Sequence, residues 1–215
     1  MGSRWWGAEM LKRRSQAGDT LIEVLFAVTI FSLIVVSAIS LMNQGTAASQ
    51  RAMEITLVRQ QIDGQAEALR FLQESYVAAY GAGIPPNTPA DQYSKIIQKV
   101  QAAGKTEASP LSKASCPTST PAGSFIINPV TAKSITSPPY KAATTYAKLA
   151  YDTTDIVLVN NEGMWIEGVR TSPASEAAQQ NVGYIDFHIR ACWIAPGVQQ
   201  PMNIGTIVRL YEPRG

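Results

Sequence analysis

The chain is poor in the residues from which active sites and metal centres are usually built. Its 215 residues include one histidine, His188, and two cysteines, Cys116 and Cys192. No Cys-x-x-Cys spacing occurs, and one histidine cannot complete a four-ligand metal set with two such distant cysteines. Neither a nucleophile elbow nor a phosphate-binding loop is present. His188 shares its face of an alternating segment with Asp186 and Arg190, which suits a solvated or salt-linked imidazole. The expectation is a protein without enzymatic activity, cofactor or metal. Net charge is scarce too: 18 lysines and arginines against 16 acids leave +2. Residues 1–18 hold Arg4, Lys12, Arg13 and Arg14 against Glu9, a local +3, so the remainder is −1. That balance does not support nucleic-acid binding through a broad basic face.

Two further absences are local. The sequence has 13 prolines, yet none falls between Asp19 and Gly83. Nor is there any charged residue between Glu23 and Arg51. From Val24 to Met42 the only polar residues are Thr29, Ser32, Ser37 and Ser40. A helix of that length, at about 1.5 Å per residue, nearly spans a hydrocarbon core of about 30 Å. The basic residues before it place residues 1–18 in the cytoplasm and the body outside. A cleaved secretory signal needs a shorter apolar core, and here helical patterning runs through the small residues that follow. A plain signal-anchor explains span and charge but leaves Gly18 and Glu23 without a reason. Thr20-Leu21-Ile22-Glu23 also fits a capping box, with Thr20 as helix N-cap and Asp19 adding favourable charge at the N-terminus.

The order of these features resembles a known family. A basic leader, then Gly18-Asp19-Thr20-Leu21-Ile22-Glu23-Val24-Leu25, then an apolar helix, is similar to the N-terminal signal of type IV pilins and pseudopilins. The resemblance implies that a prepilin peptidase cuts between Gly18 and Asp19 on the cytoplasmic side. It also implies methylation chemistry at the new amine, and a mature chain from Asp19 to Gly215. The family glutamate, fifth in the mature chain, falls on Glu23. A carboxylate at the centre of a membrane helix costs roughly 2.5–3.5 kcal/mol on insertion scales. In the family account Glu23 of an incoming subunit pairs with the terminal amine of a neighbour. Such a pair sets register more than it adds stability. The family usually begins its mature chain with phenylalanine or another apolar residue; this chain has Asp19, a second carboxylate beside that amine.

Beyond the membrane segment, Ala48, Ala52, Ile55, Val58, Ile62, Ala66, Leu69, Leu72 and Tyr76 recur at spacings of three and four. One helix from Thr20 to about Tyr80, roughly 90 Å long, would carry that stripe against a globular body. Gly45 is the expected place for a bend or local melting. The Gly81–Pro89 stretch ends the helix, and Asp91 to Ala103 has helical spacing with Gly104 as its stop. Lys105 to Lys148 reads as irregular, with Ser124 to Asn128 as its only strand. Asp155–Asn160 and Met164–Val169 flank Asn160-Asn161-Glu162-Gly163 like a hairpin. Tyr184 to Trp193 alternates cleanly, with Ile185, Phe187, Ile189, Ala191 and Trp193 on one face, and Gly205 to Tyr211 supplies a last strand. Outside the cytoplasm the two cysteines read as a single disulfide, and inside it as two buried thiols. A disulfide-bounded C-terminal loop is frequent among pilins, so the resemblance implies a Cys116–Cys192 bridge. Closing about 76 residues, it would contribute roughly 4 kcal/mol on the chain-entropy model.

The expected fold class is α+β and pilin-like. A long N-terminal helix, with a membrane half and an amphipathic half, packs against a roughly four-stranded antiparallel sheet. The regions are 1–18 (leader), 19–45 (apolar half-helix), 46–80 (amphipathic half-helix), 81–154 (irregular) and 155–215 (sheet). The expected function is a structural subunit of a type IV pilus, of the minor kind given the long Ser/Thr/Pro-rich region. The alternatives are a pseudopilin of a secretion or DNA-uptake filament, or a membrane-anchored adhesion domain. Implied partners are other pilin subunits, the prepilin peptidase, an inner-membrane assembly platform, and the membrane through residues 24–42. Nucleic acid enters only indirectly, through a DNA-uptake filament. The implied location is the cytoplasmic membrane, single-pass with the N-terminus inside, and after assembly an extracellular filament.

Overall fold

The computed structural model describes residues 19–136, 139–152, 157–170 and 183–213. Residues 1–18, the expected leader with Gly18 at its end, lie outside the described residues. The chain divides into two compact units, residues 1–46 and 47–215. One helix, α1 (Asp19–Ala79), contributes to both. With no proline to remove a donor, its ladder is continuous for 61 residues. The melting expected at Gly45 does not occur. Helix runs through Gly45 and Gly64 alike, and nothing lies within 4 Å of the Cβ either could carry. Both glycines therefore weaken only local propensity, which the surrounding turns outweigh.

In the second unit the expected stripe on α1 is buried from Val58 through Ile62, Ala66, Leu69 and Leu72. Ile55 and Tyr76 pack partly against the same core, whereas Ala48 and Ala52 remain exposed. Helix α2 (Pro89–Ala103) begins two residues before the expected start. Thr88 is its N-cap, its side chain accepting from the Asp91 N–H, and Pro89 fills the first turn where no donor is needed. Gly104 ends α2 in the left-handed conformation, φ 56°, returning its N–H to Val100 and Gln101. Tyr93, Ile96 and Val100 of α2 join the α1 stripe in one core.

Eight strands are found among the described residues, in three sheets. They are β1 (Ile126–Asn128), β2 (Lys133–Ile135), β3 (Tyr140–Lys141), β4 (Lys148–Tyr151), β5 (Leu158–Glu162), β6 (Met164–Arg170), β7 (Tyr184–Trp193) and β8 (Met202–Tyr211). The α+β layout holds, but the strands are distributed differently from a single four-stranded sheet. The largest sheet is β6-β7-β8, antiparallel with unbroken register from Tyr184↔Tyr211 to Trp193↔Met202. Its inner face carries Ile166, Ile185, Phe187, Ile189, Ala191, Val208 and Leu210 into the core with α1 and α2. The region read as irregular contains the β1–β2 hairpin and the strands β3 and β4.

The expected hairpin around residues 160–163 is not formed. Strand β5 pairs with β4 and, in parallel, with β3, whereas β6 pairs with β7. The reason is local. Asn161 is buried and uses its carboxamide as a backbone group, donating to Met164 O and accepting from the Met164 N–H at 3.2 Å. Gly163, at φ +67°, then turns the chain against β7, where an added Cβ would meet Cys192 O at 2.3 Å. A turn that closes on its own side chain sends the next strand into another sheet.

One buried side chain joins α1 to the β region. Gln65 donates from Nε2 to Ile127 O at 2.7 Å and accepts the Ile127 N–H at Oε1 at 3.0 Å. Both polar atoms of the amide are thereby satisfied where water does not reach.

Candidate functional site

Every side chain from Thr20 to Thr46 is exposed in the single chain. Large apolar groups among them include Leu21, Phe26, Phe31, Leu33, Leu41 and Met42, the last 71 % exposed. The most apolar 18-residue window has a mean hydropathy of 2.7, and none of it is buried. Each such side chain gains roughly 1.5–3 kcal/mol on leaving water, so this surface requires lipid or other apolar helices around it. The few hydroxyls in it are compatible with that setting. Thr29, Ser32 and Ser37 donate to the carbonyls of Phe26, Val28 and Leu33 at 2.7–2.9 Å, so the helix satisfies them itself. Ser37 and Ala38 leave a shallow apolar groove between Ile30, Leu33, Ile34 and Leu41.

Glu23 stands at the head of this surface. Among the described residues it has no hydrogen-bond or ion-pair partner, and its flanks, Ile22 and Val24, are exposed and apolar. Thr20, the expected N-cap, stands next to the first helical residue, Asp19. The Gly18 side of the expected cleavage site falls outside the described residues. Asp19 opens the helix. The arrangement therefore brings Asp19, Thr20 and Glu23 onto one helical turn at the start of an unburied apolar surface.

The remaining expected residues lie in the second unit. Cys116 and Cys192 are joined by a disulfide, and no free cysteine occurs among the described residues. His188 sits on the outer face of β7. Burial pushes its imidazole below the ordinary value and Arg190 adds to this, against Asp186 and Glu167. It is therefore neutral at pH 7. Asp186 is clamped by Arg209 in two hydrogen bonds of 2.7 and 2.8 Å, and that guanidinium lies 4.0 Å from the Tyr184 ring. No group of three His, Cys, Asp or Glu side chains among the described residues is placed to hold a metal.

The sequence pattern did not single out Glu167, which is fully buried on the outer face of β6. It accepts from Lys105 Nζ at 2.7 Å, Ser109 N at 3.0 Å and Trp165 Nε1 at 2.8 Å. Arg190 NH1 lies 3.7 Å away. Burial alone would raise its pKa, but the hydrogen bonds outweigh burial and hold it down at about 2. The signal available in the sequence was a glutamate beside Trp165 inside an otherwise apolar strand.

Comparison with known families gives a finding at the N-terminus. Residues 13–39 match the family described as the prokaryotic N-terminal methylation motif, a signal of the type IV pilin and pseudopilin kind. The match covers the end of the expected leader, Asp19, Glu23 and the apolar helix as far as Ile39. No curated protein and no solved structure matches the chain.

Proposed function

We propose that this chain is a structural subunit of a type IV pilus, of the minor kind, and that it assembles through the apolar half of α1. The reading is carried by one coincidence. A methylation motif at residues 13–39 covers the start of a helix whose exposed apolar surface carries Glu23, a charge without a partner among the described residues. The prepilin peptidase removes the leader after Gly18, freeing the amine of Asp19. Until assembly, residues 24–42 hold the subunit in the cytoplasmic membrane with the N-terminus inside and the second unit outside. An assembly platform then draws subunits from the bilayer. The Glu23 carboxylate meets the amine of a neighbouring subunit, and other apolar helices replace lipid around Leu25 to Met42. The second unit becomes the outer surface of an extracellular filament. Its role is mechanical rather than catalytic.

The experiment is N-terminal sequencing of the protein extracted from membranes. A start at Asp19 is expected, and an intact N-terminus at Met1 would overturn the proposal. A pseudopilin of a secretion or DNA-uptake filament uses the same chemistry at the same residues. Deleting the chain and scoring twitching motility, secretion and DNA uptake separately distinguishes the three.

A further inference from the structure

The segment between α2 and the disulfide, Gly104 to Cys116, has neither helix nor strand, yet it is held at many points. Its root is fixed because α2 is packed on β6. Gly168 of β6 leaves only enough room for Val100, whose Cγ2 would lie 2.3 Å from any Cβ at that position. From Gly104 the segment crosses to the outer face of the large sheet. Lys105 and the Ser109 N–H both bond Glu167 of β6, and Lys105 also donates to Ser109 Oγ at 3.0 Å. Arg190 of β7 donates to Ser109 O. Asn203 of β8 donates to Ser112 O at 3.3 Å. Only then does Cys116 reach Cys192. A strap therefore reaches all three strands, and two of its anchors, Lys105 and the Ser109 N–H, meet on one buried carboxylate.

We infer that Glu167, rather than the disulfide, docks this strap, and that the docked strap presents Cys116 to Cys192 for oxidation. Cys116 and Cys192 are 76 residues apart, and bringing them together by an unguided loop closure costs conformational entropy. Docking at Glu167 lowers that cost. Lys105 and Ser109 are held by a group on β6, the neighbour of the strand that carries Cys192, so only Ser109 to Cys116 remains to be placed. A charged donor and a backbone N–H from the strap meet on one carboxylate, with Arg190 of β7 in ionic contact at 3.7 Å, which makes this the strongest polar junction of the strap.

The burial of the two sulfurs sets the order of reaction. Cys192 is fully buried and Cys116 is partly exposed. The Cys116 thiolate attacks an external disulfide, forming a mixed disulfide and releasing one thiolate. Cys192, deprotonated, then attacks the Cys116 sulfur, forming the 116–192 bond and releasing the second thiolate. Two protein thiols lose two protons and two electrons, and one external disulfide is reduced to two thiols.

The test uses the full chain in detergent micelles, reduced, desalted and reoxidised with glutathione disulfide, with alkylation and mass mapping at intervals. Transient glutathione is expected on Cys116 and not on Cys192. Glu167→Gln should close the bridge about tenfold or more slowly and accumulate the Cys116 adduct, because the charge-assisted contacts are lost. Glu167→Asp should recover part of the rate. Closure of Glu167→Gln at the wild-type rate, or glutathione first on Cys192, would overturn the inference. If Glu167→Gln fails to fold, the Cys116→Ser/Cys192→Ser double variant decides the matter by trypsin cleavage after Lys105. Protection equal to the disulfide-bonded protein shows that the strap docks without the disulfide, as the inference requires. Cleavage as fast as in an unfolded strap peptide shows that the disulfide holds the strap, and ends the proposal.

Discussion

Glu23 and Glu167 are both carboxylates set among apolar side chains, and the surroundings give them opposite behaviour. Glu23 is exposed and, among the described residues, unpartnered, so nothing in the folding of the second unit depends on it. Under the proposed function its partner arrives with another subunit. Glu23→Ala should therefore leave the thermal midpoint of the second unit unchanged while lowering the recovery of sheared filaments by tenfold or more. Filaments at wild-type yield would remove the proposed role. Glu167 instead finds its partners within the chain. Its folded pKa of about 2 lies below the ordinary glutamate value of about 4.3, so its contribution is complete above pH 4.3 and is lost as pH falls toward 2. That contribution is on the order of 3 kcal/mol. Denaturant titrations at pH 6, 4 and 3 should show wild type losing its advantage over Glu167→Gln as pH falls. A gap that stays constant with pH would contradict the ionised network.

Among the elements, α1 and β7 were legible because each has a long, uninterrupted period. The stripe from Val58 to Leu72 and the alternation from Ile185 to Trp193 are buried as their spacing required. The two ends of that reading failed for physical reasons. Ala48 and Ala52 keep the period but have no sheet above them to bury against, and the turn at residues 160–163 was misplaced because Asn161 and Gly163 redirect the chain. Short strands such as β3 are held by partners twenty residues away and leave no period to detect. The contact between α2 and β6 makes a prediction at this scale. Gly168→Ala forces its methyl into Val100 and should cost about 1–3 kcal/mol by overpacking. Val100→Ala should also destabilise, but the double variant should recover much of the loss. Additive losses in a double-mutant cycle would show that the two positions do not share one volume.

For the whole molecule, the division between Thr46 and Ala47 separates an unburied apolar helix from a unit with its own core and disulfide. A chain beginning at Ala47 should be soluble without detergent, with a cooperative unfolding transition and a monomeric elution volume in gel filtration. Aggregation under non-reducing conditions would mean that the core needs the first half of α1. The candidate site at the N-terminus was visible in the sequence because its logic is linear: basic residues, glycine, glutamate and apolar run follow one another between Lys12 and Met42. The strap was not visible. Lys105 and Ser109 meet Glu167 across 62 and 58 residues, and no local pattern records a contact at that distance.

The two-point grip of Gln65 on Ile127 has a mechanical consequence. A helix that slides by one residue moves about 1.5 Å and turns through about 100°, which would take the carboxamide away from both backbone groups together. The bond pair thus works as a shear pin between rod and sheet. Tension drawn along α1 loads it sideways, and both bonds resist in parallel before any apolar side chain leaves its socket. Gln65→Leu would keep the volume and remove the pin. In single-molecule pulling from the N-terminal end of α1 the force at first slip should fall, and the thermal midpoint should fall too, because the buried Ile127 N–H and C=O are left without partners.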